Sequence, residues 1–118
     1  MKRFLIALFI FLAMPISAQL ATTASSGTLR VLDKITGRTH DLKFGNGQTQ
    51  TVGLLAITMT ECRYPSGNQS GDAYALLTII YNNASDPVFS GWMIASSPAL
   101  NALDHPRYDV WTLRCSSE

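Results

Sequence analysis

Ala73-Tyr74-Ala75-Leu76-Leu77-Thr78-Ile79-Ile80-Tyr81 is apolar on both parities, with Thr78 its one polar side chain. A run of this length and β-branched, aromatic content reads as a strand at the centre of a sheet, covered on both faces. Turn-rich loops bound it: 65–72 gathers Pro, Ser, Gly and Asn before it, and 82–87 follows it. Upstream, Leu55, Ile57 and Met59 share one parity while Cys62 and Tyr64 fall on the other, so a bulge is expected near Thr60. Downstream, 88–94 reads as a short strand, and 108–115 as a last one with Trp111, Leu113 and Cys115 on a common side.

The amino-terminal half fits the same class. Leu29, Val31 and Ile35 alternate with Arg30 and Lys34 up to Thr36-Gly37, and His40, Leu42 and Phe44 then alternate with Thr39, Asp41 and Lys43. The two runs make a hairpin. Gly45-Asn46-Gly47 and the polar residues to Thr51 read as a connecting loop, with the next strand starting near Gly53. One helical signal exists: Ser97 caps, Pro98 suits the first helical position, Leu100 and Leu103 share a face, and Pro106 stops it. The expectation is an all-β protein, a small sandwich or barrel of five to seven mainly antiparallel strands with one short helix and one disulfide.

Whole-chain composition averages two unlike parts. Residues 1–18 begin with Lys2 and Arg3, continue as an apolar run from Phe4 to Met14 closed by Pro15 and Ile16, and end in Ser17 and Ala18. This is the pattern of a cleavable export signal. Cleavage is expected before Gln19, with Thr22 and Ala24 offering a later site. The alternative of a membrane anchor is disfavoured, since thirteen residues of helix reach about 20 Å against a hydrocarbon core of about 30 Å. Without the signal, seven of the nine Lys and Arg remain against eight Asp and Glu. A nucleic-acid binder would carry a basic excess, so that class is set aside. Residues 19–27 are read as a flexible leader and 28–115 as a single domain, whose size suits one core burying roughly 60 to 65% of its unfolded surface.

Export gives the two cysteines, Cys62 and Cys115, a compartment where disulfides persist, and two thiols allow one intramolecular pairing. They are 53 positions apart with no CxxC, which argues against a redox or zinc pair. Closing that loop removes unfolded-state entropy worth roughly 4 kcal/mol.

Residues 89–106, FSGWMIASSPALNALDHP, followed by Tyr108-Asp109-Val110-Trp111, closely resemble the signature of DUF 2155, a family of exported bacterial proteins of unknown function. The likeness extends to Leu32-Asp33-Lys34-Ile35-Thr36-Gly37 and both cysteines, and so covers about 28–115. The short loop at 65–72 departs from it, because members of the family often carry a longer acidic, proline-rich insertion there. The resemblance implies a small envelope domain and brings no activity, cofactor or catalytic residue.

Ser96, Ser97, Asp104, His105 and Asp109 contain the types needed for a Ser-His-Asp relay, but Ser97 is accounted for as a cap and Ser96 sits in no GxSxG elbow. No catalytic residue, metal site or cofactor is assigned, and His40, alternating with Leu42 and Phe44, is read as a structural histidine at the core edge. At least one of Trp92 and Trp111 is expected in the core. The two Asn-x-Ser triplets, at Asn68 and Asn83, are read as chance matches. The leading expectation is a non-catalytic periplasmic module, without a transmembrane anchor after cleavage. It would bind an envelope protein through a surface drawn from Ser90, Trp92, Ser96, His105 and Tyr108. The alternatives are a cell-wall glycan-binding domain using exposed aromatics and, behind it, a small hydrolase.

Overall fold

The computed structural model describes residues 20–117; the segment read as an export signal lies outside them. Among the described residues, eight strands form two antiparallel sheets: β1 (Ala21–Thr23), β2 (Ser26–Asp33), β3 (Thr39–Gly45), β4 (Gln48–Val52), β5 (Leu55–Pro65), β6 (Tyr74–Tyr81), β7 (Phe89–Ile94) and β8 (Tyr108–Ser116). The first sheet runs β1-β5-β6-β7, with β4 sharing the β1 edge of β5; the second runs β3-β2-β8. Their facing sides supply one core, in which Leu29, Val31, Phe44, Tyr108 and Val110 of the second sheet meet Leu55, Ile57, Met59, Leu77 and Ile79 of the first. Cys62 on β5 and Cys115 on β8 are disulfide-bonded, with Cα atoms 5.7 Å apart, so the link ties one sheet to the other.

The hairpin of β2 and β3 and the interior place of β6 agree with the sequence reading. The bulge is where parity breaks: β5 pairs with β6 through Met59 and resumes at Glu61, skipping Thr60. A second bulge lies on β8, where Thr28 faces Arg114 but Leu29 faces Thr112. Leu113 is the extra residue. Tyr108, Val110 and Thr112 therefore point inward on one parity and Cys115 on the other, while Trp111 and Leu113 turn outward. The common side expected for Trp111, Leu113 and Cys115 is corrected accordingly.

Other expectations are revised. β4 replaces the polar loop read at 48–51: its side chains are largely exposed, so it carries no apolar period, yet its backbone pairs with β5 and the Thr49 and Thr58 hydroxyls meet at 2.6 Å. Residues 21–23 of the expected leader form β1, and Ser26 and Gly27 open β2. Ala24 between them is 2% exposed and donates its N–H to the Cys62 carbonyl. The strand count rises to eight for these reasons. The helix expected from Ser97 is absent among the described residues; single turns close on the Ile94 and Ser97 carbonyls instead. Between Pro98 and Pro106 there is too little chain to repay helix nucleation, and the segment must stretch from the end of β7 to the start of β8. Leu103, 5% exposed, is its plug into the core.

Candidate functional site

The registers place the ends of β2 and β6 and the starts of β5, β7 and β8 at one end of the molecule, and the disulfide, the end of β7 and the start of β6 at the other. The connection from β7 to β8 thus traverses the domain, and the five candidate surface residues are divided along it.

His105 and Tyr108 are structural. The His105 ring, 9% exposed, lies 4.4 Å from Tyr81 and 5.7 Å from Tyr108, centroid to centroid. Its Nδ1 accepts the backbone N–H groups of Arg107 (3.0 Å) and Tyr108 (3.2 Å), which assigns the proton of the neutral ring to Nε2. Its carbonyl accepts Lys34 Nζ at 2.7 Å. Tyr108 is 1% exposed, and its hydroxyl accepts the Leu54 N–H at 3.2 Å. Asp33 completes the anchor by pairing with Arg107 at 3.2 Å and accepting the N–H groups of Ile35 and Thr36. Burial works to raise the Asp33 carboxyl, but these donors outweigh it and hold the group below the ordinary carboxylate range.

Ser96 sits at the other end. Its hydroxyl donates to Asp72 Oδ2 at 2.5 Å and its N–H to Oδ1 at 3.0 Å. The partly buried Asp72 is pushed up by desolvation but pulled further down by Ser96 and by the Ala73 N–H. Asp109 pairs with Lys34 at 3.6 Å, and Asp104 is exposed. No hydrogen bond joins Ser96, Asp104 or Asp109 to His105 among the described residues, so the relay is not assembled. His40 is exposed on β3 rather than at the core edge, because the alternation there leaves Leu42 half-buried and only Phe44 fully inside. Among the described residues no three His, Cys, Asp or Glu side chains converge as a metal site would need.

Ser90 and Trp92 face outward on β7, and with them the picture changes. Only one face of β6 is packed: Ala75, Leu77 and Ile79 are buried, whereas Tyr74, Leu76 and Ile80 lie half-buried on the outer side. The two-faced cover expected for this strand is thus corrected, since the described residues form two layers and no third. Outward rows run Arg63–Tyr74–Ile94, Glu61–Leu76–Trp92 and Thr58–Thr78–Ser90 across β5, β6 and β7. Ala21, Arg63, Tyr74, Trp92 and Ile94 line a shallow groove of about 370 Å³. The Arg63 guanidinium lies 5.4 Å from the Trp92 ring centroid and pairs with Glu61 at 2.9 Å. Asn101 donates to the Trp92 carbonyl at 2.9 Å, laying the β7–β8 connection along the edge of β7. Gly91, with φ 151°, leaves room there: a β-carbon would sit 3.1 Å from the Asn101 amide nitrogen.

Neither tryptophan is in the core; Trp92 is 36% exposed on the first sheet and Trp111 half-buried on the outer side of the second. The space between the sheets is filled by single-ring and aliphatic side chains. Arg63, Tyr74, Ile94 and Ala21 were not singled out from the sequence. Their signal was the second apolar parity of β6, which marks either a covered face or a face awaiting cover.

A family model described as an uncharacterized protein conserved in bacteria (DUF2155) matches residues 27–115, from Gly27 in β2 to Cys115 in β8. An uncharacterized protein of Rickettsia prowazekii (strain Madrid E) is 30% identical over 94 residues, covering 77% of this chain and 61% of its own length. The chain therefore spans about three-fifths of that curated relative. No solved structure matches.

Proposed function

The chain belongs to the DUF2155 family of uncharacterized bacterial proteins, and from that premise we propose that it is a non-catalytic interaction module of the bacterial envelope, exported to the periplasm, which holds a protein partner on the outer face of its first sheet. The observation that carries this reading is the uncovered apolar parity of β6 joined to Trp92 and Ile94 on β7. Aromatic and Arg side chains in an apolar setting are the usual anchors of protein interfaces. The outer face of the second sheet also carries Trp111, beside Arg30 and Asp41, which satisfy each other in a bidentate pair at 2.8 and 3.0 Å. Export is supported by the basic and apolar pattern of 2–16 and by a disulfide joining the two sheets.

The glycan-binding alternative draws on Trp92 and Tyr74 lining one groove. It is the weaker reading because Arg63 already lies over one of the two indole faces on which a sugar would stack. The test is affinity capture from envelope extract with wild type, Trp92→Ala, Tyr74→Ala and, as a control on the other sheet, Trp111→Ala. Partners retained by Trp111→Ala but lost from both groove variants, each with an unchanged melting temperature, support the site. Identical capture by all four overturns it, and retention on isolated peptidoglycan abolished by Trp92→Ala would replace the protein with a glycan.

A further inference from the structure

The five Cα steps from Ile16, where the amino-terminal apolar run ends, to Ala21, where β1 begins, span at most about 18 Å. Ala21 is also part of the groove wall, beside Arg63, Tyr74, Trp92 and Ile94. Whatever surface takes up the apolar run therefore lies within that reach of the groove. Leu20, at the same rim, is 77% exposed.

The aromatic side chains of the outer face gather at one end of its strands. Tyr74 and Trp92 lie with Ile94 toward the end nearest β1, and the hydroxyl row Thr58–Thr78–Ser90 separates them from the aliphatic pair Ala56–Ile80 farther along. Trp and Tyr prefer the water–lipid boundary because each has an apolar body and one polar tip, and Arg lies along such a surface while keeping its charge wet. Those three residue types meet here beside the entry of an apolar segment.

We propose that in the uncleaved chain this end of the outer face rests on the membrane surface, with Trp92, Tyr74 and Ile94 in the interfacial layer, and that cleavage frees it for its partner. The inference rests on the reading of this face as the binding surface and of 1–18 as an export signal. The bilayer thereby shields an apolar face during the interval in which the domain is tethered, and release and binding competence become one event.

The test uses the full chain with cleavage blocked by Ala18→Leu, reconstituted into phosphatidylethanolamine–phosphatidylglycerol vesicles containing brominated lipid. Trp111→Phe leaves Trp92 as reporter, and Trp92→Phe leaves Trp111, on the outer face of the opposite sheet, as the internal reference. The expected result is a blue shift and a loss of emission roughly twofold larger for Trp92 than for Trp111. The cleaved chain, residues 19–118, added to the same vesicles should show neither. Equal quenching of both reporters, or none of Trp92, overturns the proposal. If partner capture by the cleaved chain still depends on Trp92, the binding reading survives that failure. Quenching of Trp92 in the cleaved chain as well overturns release by cleavage, and makes lipid rather than protein the ligand of the face.

Discussion

Substituting Gly27 by Ala tests how β2 and the disulfide share space. A β-carbon at Gly27 would lie 2.7 Å from Cys62 Sγ, 3.0 Å from Cys62 Cβ and 3.0 Å from Met59 Sδ. Met59 could yield by rotating, but Cys62 is held through its bond to Cys115 on the opposite sheet. Overpacking of this kind costs about 1–3 kcal/mol. The lower backbone entropy of Ala in the unfolded chain returns about 0.4–1 kcal/mol, because Gly27 is not among the positive-φ residues. The expected net loss is about 1–2 kcal/mol, which for a domain of this size lowers the melting temperature by roughly 4–16 °C. The assay is thermal unfolding of oxidised residues 19–118 followed by circular dichroism, with a thiol titration confirming the disulfide. Gly45→Ala is the control, since its β-carbon would meet only the Gln48 side chain, at 3.9 Å. Combining Gly27→Ala with Cys62→Ala and Cys115→Ala should shrink the penalty, as the nearest atom is then gone. Equal melting of Gly27→Ala and Gly45→Ala would refute the reasoning.

Three further predictions follow from the same contacts. Replacing both cysteines by Ala should cost up to roughly 4 kcal/mol, measured by urea denaturation, because the bond closes a 53-residue separation and joins the two sheets. The lowered carboxyls of Asp33 and Asp72 contribute stability that is present above the unfolded value of about 3.9 and is lost as pH falls through their depressed folded values. Asp33→Asn should therefore be less stable than wild type at neutral pH and converge with it in acid, as read from urea midpoints against pH. Finally, the export reading predicts that the mature protein begins at Gln19 by intact mass. A cut after Ala24 would remove β1 and a buried residue whose N–H bonds the Cys62 carbonyl, and would uncover the Arg63–Pro65 edge of β5.

Much of the fold was legible because side-chain alternation needs no knowledge of the partner strand. The hairpin of β2 and β3 and the bulge near Thr60 follow from period-2 patterns, and the interior β6 from a run apolar on both parities. β1 and β4 were not legible, since edge strands with short polar side chains lay down backbone pairing without an apolar period. The block from Ser96 to Pro106 misled for a different cause: its distinctive residues secure a chain crossing. Leu103 plugs the core, Asn101 bonds the β7 edge and His105 caps the start of β8, so a segment that reads as a binding surface is largely architecture.

Alternation in the chain alone established which side chains share a face between bulges, and the exclusive pairing of two cysteines established how its middle and end are joined. It did not establish which faces are covered. That depends on how many layers stack, and on the bulges at Thr60 and Leu113, each of which moves every later residue of its strand to the opposite side. Two layers leave the second apolar parity of β6 open, and the bulge at Leu113 turns Cys115 inward to its disulfide while Trp111 stays outside. The candidate site exists because of that stacking, for Ala21, Arg63, Tyr74, Trp92 and Ile94 come from four strands that meet only once the sheet is assembled.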